Sequence, residues 1–493
     1  MGVLLFSALL LISNSVSSQT TPTSREKAKK LYISLTGTQP NKSELNYLVA
    51  NYDWRYKEQE YQAGLDIIDQ NPKEVINNGG SFYGVTIKDW VTPKFNKQKT
   101  TLAPLNDASA TIIGMIRDEK PFNTILYENV VYKAVGVTSI GIKFWSFDTS
   151  YPVLPKVANA KAICDKAGLT VLTSGKFKII YNDPQLPDDP NLRKCQETKI
   201  VNNHPGNVDK DGVKLNPLPF VDLASARVND VLYLPDLDVM IKNNMINTTN
   251  QHYESITEQG LDLSKKNLLV PVKQDGKLHG DPAAISGILS TRAFGAAYLY
   301  AGTNRAPVAY VLEHFLCKDM EELNDTTIPD YRNRRDVDRS PGGSSVLYKN
   351  RCIGCHAGLD ALSGAFAYYD YNGKVTYTAG DVVDKMNHNA FFSEGFVTSD
   401  NSWKNLWVQG QNAALGWGGT VEGQGARSLG EMFANTEAFH SCMAKQAYEK
   451  VCMKSASSSE DKERVKTLTA DYKENNFNMK RLFIKASLTC LGD

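Results

Sequence analysis

Between Arg351 and Asp370 the chain reads RCIGCHAGLDALSGAFAYYD, in which Cys352, Cys355 and His356 form C-x-x-C-H. Two thiols at this spacing can each form a thioether to a vinyl group at a porphyrin edge. The adjacent imidazole can then ligate the iron from the proximal side, which is the attachment pattern of a c-type haem. Gly354 is expected to leave room where the backbone passes the macrocycle. The competing chemistries are a thioredoxin-like dithiol, half of a zinc site and a disulfide hairpin. Zinc needs a second Cys/His pair at close spacing, and none follows in the sequence. A redox dithiol needs a βαβ setting, which the flanking residues do not resemble. The expected cofactor is therefore one covalent haem c, held by Cys352 and Cys355 and ligated by His356.

What such an iron would do turns on its sixth position. A Met gives a higher-potential electron carrier, a His lowers the potential, and an open site permits peroxide or small-gas chemistry. Downstream candidates are Met386, His388, Met432, His440 and Met443. Met386 is favoured and His388 is next, because both lie in the loop DKMNHN, where a ligand loop can close on a haem. Met432, His440 and Met443 fall on a helical pattern, where core packing is the default. No distal ligand at all is the remaining option.

The 493 residues carry 42% hydrophobic and 22% charged side chains, ordinary for a folded protein of two to four domains. Lys+Arg 55 against Asp+Glu 54 leaves a net charge of +1, so no basic field argues for nucleic acid. An apolar run from Val3 to Ile12 precedes Val16-Ser17-Ser18 and Gln19, which resembles a signal-peptidase site, although no Lys or Arg precedes the run. A signal peptide over 1–18 is expected, with the mature chain exported to the periplasm, cell surface or medium. The run is too short for a stable span and no other stretch approaches twenty apolar residues, leaving peripheral or surface association open. Of eight Cys, six remain outside the motif. Cys164 and Cys195 share a local region and are expected to pair. Cys442 and Cys452 lie on one helical pattern about 15 Å apart, beyond disulfide reach. The expected pairs are then Cys317–Cys442, tying the haem region to a C-terminal helix, and Cys452–Cys490 across a helical hairpin; free buried thiols are the alternative.

Along the chain, apolar spacing predicts helices from Ala28, after Pro40-Asn41 with Asn41 or Ser43 as N-cap, over Trp54–Asn77, over Asn106–Arg117 and over Phe122–Tyr132. Ser81–Phe95 reads as extended or a short helix. Residues 19–135 are thus expected to be a helical N-terminal domain. From Gly136 to 280 the chain turns rich in Pro, Asn, Asp and Gly, a loop- and β-rich region. Its Asp183, Asp209 and Asp211 lack EF-hand spacing, and His252 and His279 read as surface residues. The remainder, 281–493, is expected to be an α-helical haem domain. Two helices should break at Gly302-Thr303-Asn304, with His314 on the second, and a charged linker should run over Glu321–Ser345. A hairpin should turn at Asn372-Gly373, and Trp403, Trp407 and Trp417 should cover a porphyrin or fill a core. Ser428 should cap a long helix to Lys454, and a last helix should cover Asp461–Phe483. The fold class is mainly α.

The motif stretch resembles the planctomycete-type cytochrome c family: C-x-x-C-H, then Asp360, then Gly364-Ala365-Phe366-Ala367 and Tyr369-Asp370. Ala361 stands where that family has Pro. Gly287-Ile288-Leu289-Ser290, Asn304-Arg305-Ala306-Pro307-Val308 and Leu429–Val451 are similar to flanking segments of the same family, with weaker echoes at Leu35–Glu44 and Ile116–Phe122. The resemblance covers the start and the C-terminal two-fifths, and implies a haem c protein outside the cytoplasm without supplying a substrate. The leading expectation is a single-electron carrier for a redox protein partner. The alternatives are a surface-associated structural or binding protein with a sensory or incidental haem, and a peroxidase-like haem enzyme, which lacks a second C-x-x-C-H.

Overall fold

Thr23 opens the first helix reciprocally: its hydroxyl accepts from the Glu26 amide, and the Glu26 carboxylate accepts from the Thr23 amide. Helix α1 (Ser24–Thr36) then ends on Gly37 at φ +70°. The same device, with Asn41 and Glu44, opens α2 (Lys42–Asn51), and Asn106 with Ser109 opens α5 (Asp107–Arg117). Between them lie α3 (Lys57–Asp69) and α4 (Lys88–Val91). A π-helical segment (Phe82–Ile87) precedes α4 and a 3-10 turn (Thr92–Phe95) follows it, so the stretch from Phe82 to Phe95 is helical. The computed structural model describes residues 22–77, 80–96, 98–134, 253, 256–257, 260–274, 281–300, 304–330, 332–334, 345–371, 375–384 and 395–492, with the backbone of two strands at 177–181 and 194–198. The expected signal peptide, the Cys164–Cys195 pair, and His252, His279, Met386 and His388 lie outside the described residues.

Phe122–Tyr132 does not form the expected helix. A 3-10 turn (Phe122–Thr124) gives way to strand β1 (Val131–Ala134), which pairs antiparallel with β4 (Leu269–Val272), Val131 opposite Val272. Three β-branched or aromatic residues in a row, Val130-Val131-Tyr132, favour the strand, and the Tyr132 amide donates to the Thr111 hydroxyl on α5. The β1–β4 ladder therefore brackets the segment between residues 135 and 268. Within that segment β2 (Phe177–Tyr181) and β3 (Lys194–Thr198) pair with each other.

The later half is helical: α6 (Arg305–Phe315), α7 (Ser345–Arg351), α8 (Ile353–Ser363), α9 (Gly425–Ala434), α10 (Glu437–Cys452), α11 (Ser459–Glu474) and α12 (Met479–Thr489). The expected helix from Ser428 to Lys454 is thus two. Asn435-Thr436 interrupts it, and Thr436 caps α10 by accepting from the Phe439 amide at 3.0 Å. Ser428 is no cap; it sits inside α9 and accepts from the Trp403 indole at 2.9 Å. The expected helix over Asp461–Phe483 is also two, broken at residues 475–478, where Asn476 and Phe477 take positive φ.

Two small hairpins complete the half: β5 (Tyr369–Tyr371) with β6 (Val375–Tyr377), where a hairpin was expected, and β7 (Ser402–Lys404) with β8 (Glu422–Gln424). The molecule is mainly helical, with strands only in two-stranded pairs among the described residues. Side chains from every helix except α7, together with Tyr253, Ile256, Leu263 and Leu268, bury in one continuous core, while Tyr348 of α7 packs apart from it against Cys352 and Ile353. Two expected disulfides close across it: Cys317–Cys442, with Cα atoms 5.4 Å apart, and Cys452–Cys490 at 5.8 Å. Cys442 and Cys452 share α10, as their spacing required.

Candidate functional site

Cys352 sits at the joint between α7 and α8. Its amide donates to the Tyr348 carbonyl at 2.8 Å, and the His356 amide donates to the Cys352 carbonyl at 3.1 Å, so the motif is wound as helix through the joint. Residues three apart on a helix share a face, which places the thiols of Cys352 and Cys355 side by side. Both cysteines are free and half-buried. Cys355 donates to the Met320 carbonyl at 3.3 Å; burial, with Glu321 and Cys352 nearby, pushes its thiol above the ordinary range. The setting is two consecutive helices rather than a βαβ unit, which speaks against a thioredoxin-like dithiol. Among the described residues no three His, Cys, Asp or Glu side chains gather to hold a metal ion by themselves.

Two glycines let α8 pack where it does. Gly354 was expected to make room for a macrocycle, but the close neighbour is protein: a Cβ there would lie 1.8 Å from Asn324 Oδ1, and the Gly354 carbonyl accepts from the Asp325 amide at 2.9 Å. A Cβ on Gly358 would lie 2.2 Å from the Trp407 indole, which in turn stacks on Trp417 with ring centroids 6.5 Å apart. Trp403 and Trp407 are fully buried, so these indoles fill core around α8.

His356 follows the thiols with its side chain 30% exposed. The Tyr348 ring stands edge-on to it at 5.7 Å. On the protein side, His356 Nδ1 lies 3.5 Å from Asp360 Oδ1, one helical turn on, long for a hydrogen bond. Asp360 has no exposed side-chain surface and is held from two further segments. Arg305, first residue of α6, forks onto it with Nε 2.5 Å from Oδ1 and an Nη 3.1 Å from Oδ2. Arg334, itself 1% exposed, donates its amide to Oδ2 at 3.3 Å and brings its guanidinium to 3.9 Å. Burial alone would raise this carboxyl; the two guanidinium charges and the contact with His356 outweigh it and hold the group far below the ordinary carboxylate range. Asn304 sets α6 in place from a left-handed backbone at φ 60°, donating to the Phe366 carbonyl.

The structure thus brings Cys352, Cys355 and His356 together, backed by a buried Arg305–Asp360–Arg334 cluster. In the sequence, Asp360 and Arg305 stand out only within the family resemblance, and Arg334 falls in the charged stretch Glu321–Ser345. The available signal was Asp360 four residues after His356: on a helix that spacing makes neighbours, and a buried carboxylate demands cationic partners. Of the distal candidates, Met432 is buried on α9 with its sulfur 3.7 Å from Asn405 Nδ2, and Met443 is fully buried on α10. His440 is buried and stacked on Phe477, and burial lowers its pKa. All three serve the core in the way expected of helix residues.

The chain matches no protein-family model, no curated protein and no solved structure.

Proposed function

We propose that the chain is an exported c-type cytochrome that carries single electrons by one haem joined to Cys352 and Cys355 and ligated by His356. The observation that carries the reading is the composition of the helical joint. Two unpaired thiols share one face, and the next imidazole is partly open to solvent while its Nδ1 side is backed by buried Asp360. A neutral imidazole ligates through the nitrogen that bears no proton. Asp360 faces Nδ1 at 3.5 Å, and a proton on that nitrogen would leave Nε2 for the metal, the second-shell arrangement that metal-binding histidines commonly use. The bound group would supply a one-electron couple; the chain supplies two anchoring sulfurs, one nitrogen ligand and the carboxylate behind it.

Export is supported by the apolar N-terminal run and by two disulfides, which persist in oxidising compartments. No helix among the described residues is long and apolar enough to cross a membrane. The partner on this reading is a redox protein, and Met386 is the favoured distal ligand.

The test is a visible spectrum of the exported chain, oxidised and dithionite-reduced. Low-spin bands in both states, with the weak far-red band of His/Met ligation lost in Met386→Ala, are expected. Permanently high-spin bands would contradict electron transfer and favour peroxide or gas chemistry.

A further inference from the structure

We propose that Asp360, clamped by Arg305 and Arg334, is a positioning residue that fixes His356 as the Nδ1-protonated tautomer with Nε2 facing outward. The inference deepens the haem reading and rests on it for its functional meaning, but its geometry belongs to the chain itself.

Three separate segments spend buried polar groups on this one carboxylate: α8 provides Asp360, α6 provides Arg305, and residues 332–334 provide Arg334. Taking three charges out of water is costly, and an ion cluster of this kind contributes little net stability over an apolar core. Stability therefore does not explain why the carboxylate is here. Its position does. The Arg305 fork takes both oxygens, and the Arg334 amide takes Oδ2 again. Oδ1 is the oxygen nearest His356 Nδ1, at 3.5 Å. An ionised carboxylate only accepts hydrogen bonds, so at this separation its charge favours the proton on the imidazole nitrogen that faces it. Tyr348, edge-on at 5.7 Å, limits rotation of the ring away from that arrangement. The consequence for a bound iron is a more electron-rich imidazole, which favours the ferric state.

Two measurements test this on the full chain. The first needs no haem: the chain is made without haem attachment, with 15N-labelled histidine, and observed at a pH where imidazole is neutral. The His356 signal is identified by its loss in His356→Gln. The Nδ1–H tautomer is expected at His356; the Nε2–H tautomer common in free imidazole side chains would overturn the proposal. The second compares the haem-loaded chain with Asp360→Asn by optical redox titration. A tenfold or larger shift of the equilibrium toward ferrous is expected, which is about 59 mV for a one-electron couple. An unchanged potential in a folded Asp360→Asn chain with full haem content would also overturn it. If the chain never takes haem while His356 shows the Nδ1–H tautomer, the positioning stands and the cytochrome reading falls.

Discussion

A methyl group on Gly358 would meet the Trp407 indole at 2.2 Å, whereas one on Gly84 meets nothing within 4 Å. The two glycines therefore predict opposite outcomes. Gly358→Ala should destabilise the fold by about 1–3 kcal/mol through overpacking. Gly84→Ala, in a helical segment, should be neutral or gain up to about 1 kcal/mol; urea unfolding of both variants checks the contrast. His314 supplies a second residue-scale test. It lies on α6, edge-on to Tyr310 at 4.8 Å, and burial, followed by the nearby Lys94 charge, holds its pKa down to about 4 against an ordinary 6.5. Between those values the unfolded chain binds the proton that the folded chain refuses. The contribution is complete above pH 6.5 and drains as the pH falls through about 4, and His314→Gln should flatten that stretch of the stability–pH curve. If wild type and variant lose stability in parallel from pH 6.5 to 4, His314 is not the group. At this scale the grouping of Cys352, Cys355 and His356 was legible, because C-x-x-C-H is local. Arg334 was not legible, because its importance comes from a carboxylate met only after folding.

Helix caps explain where element-level reading succeeded. Asn41 and Asn106 each carry a partner three residues on, and both helices start where that pattern places them. Ser428-Leu429-Gly430-Glu431 carries the same signature and misleads, because the Ser428 hydroxyl is committed to Trp403 and to the Gln424 carbonyl. The true start of α10 is Thr436, whose cap lies inside the core. Thr436→Ala should cost about 1 kcal/mol, read as a lower urea midpoint with unchanged slope; a variant as stable as the parent would contradict the assignment. The Phe122–Tyr132 error has a similar origin. Acidic residues and Pro121 announce a helix start, but the β-branched residues that follow find a partner strand at residues 269–272, a pairing no local pattern can reveal.

Across the whole molecule, α1 and α3 pack against α12, so chain regions hundreds of residues apart stabilise one another. Lys480 on α12, 6% exposed, reaches Asp69 at 3.0 Å and Glu119 at 3.1 Å and ties the same halves. Cys317–Cys442 closes 125 residues of sequence, a stretch that includes the C-x-x-C-H joint. Replacing both cysteines by Ser should cost about 2–4 kcal/mol, seen as a lower Tm; no change would mean the core alone sets the geometry around α8. The mainly helical class and both pairings were legible from periodicity and helix spacing, while the interleaving of the two halves was not, since it depends on contacts between segments with no shared local signal. The central claim is the covalent haem at Cys352 and Cys355. It is tested most directly by acid–acetone extraction followed by a pyridine haemochrome assay on the full chain exported from cells with haem-attachment machinery. One non-extractable c-type haem per chain, lost in Cys352→Ala/Cys355→Ala, is the predicted result. A folded chain that carries no haem, with Cys352 and Cys355 as a free or oxidised thiol pair, would contradict it.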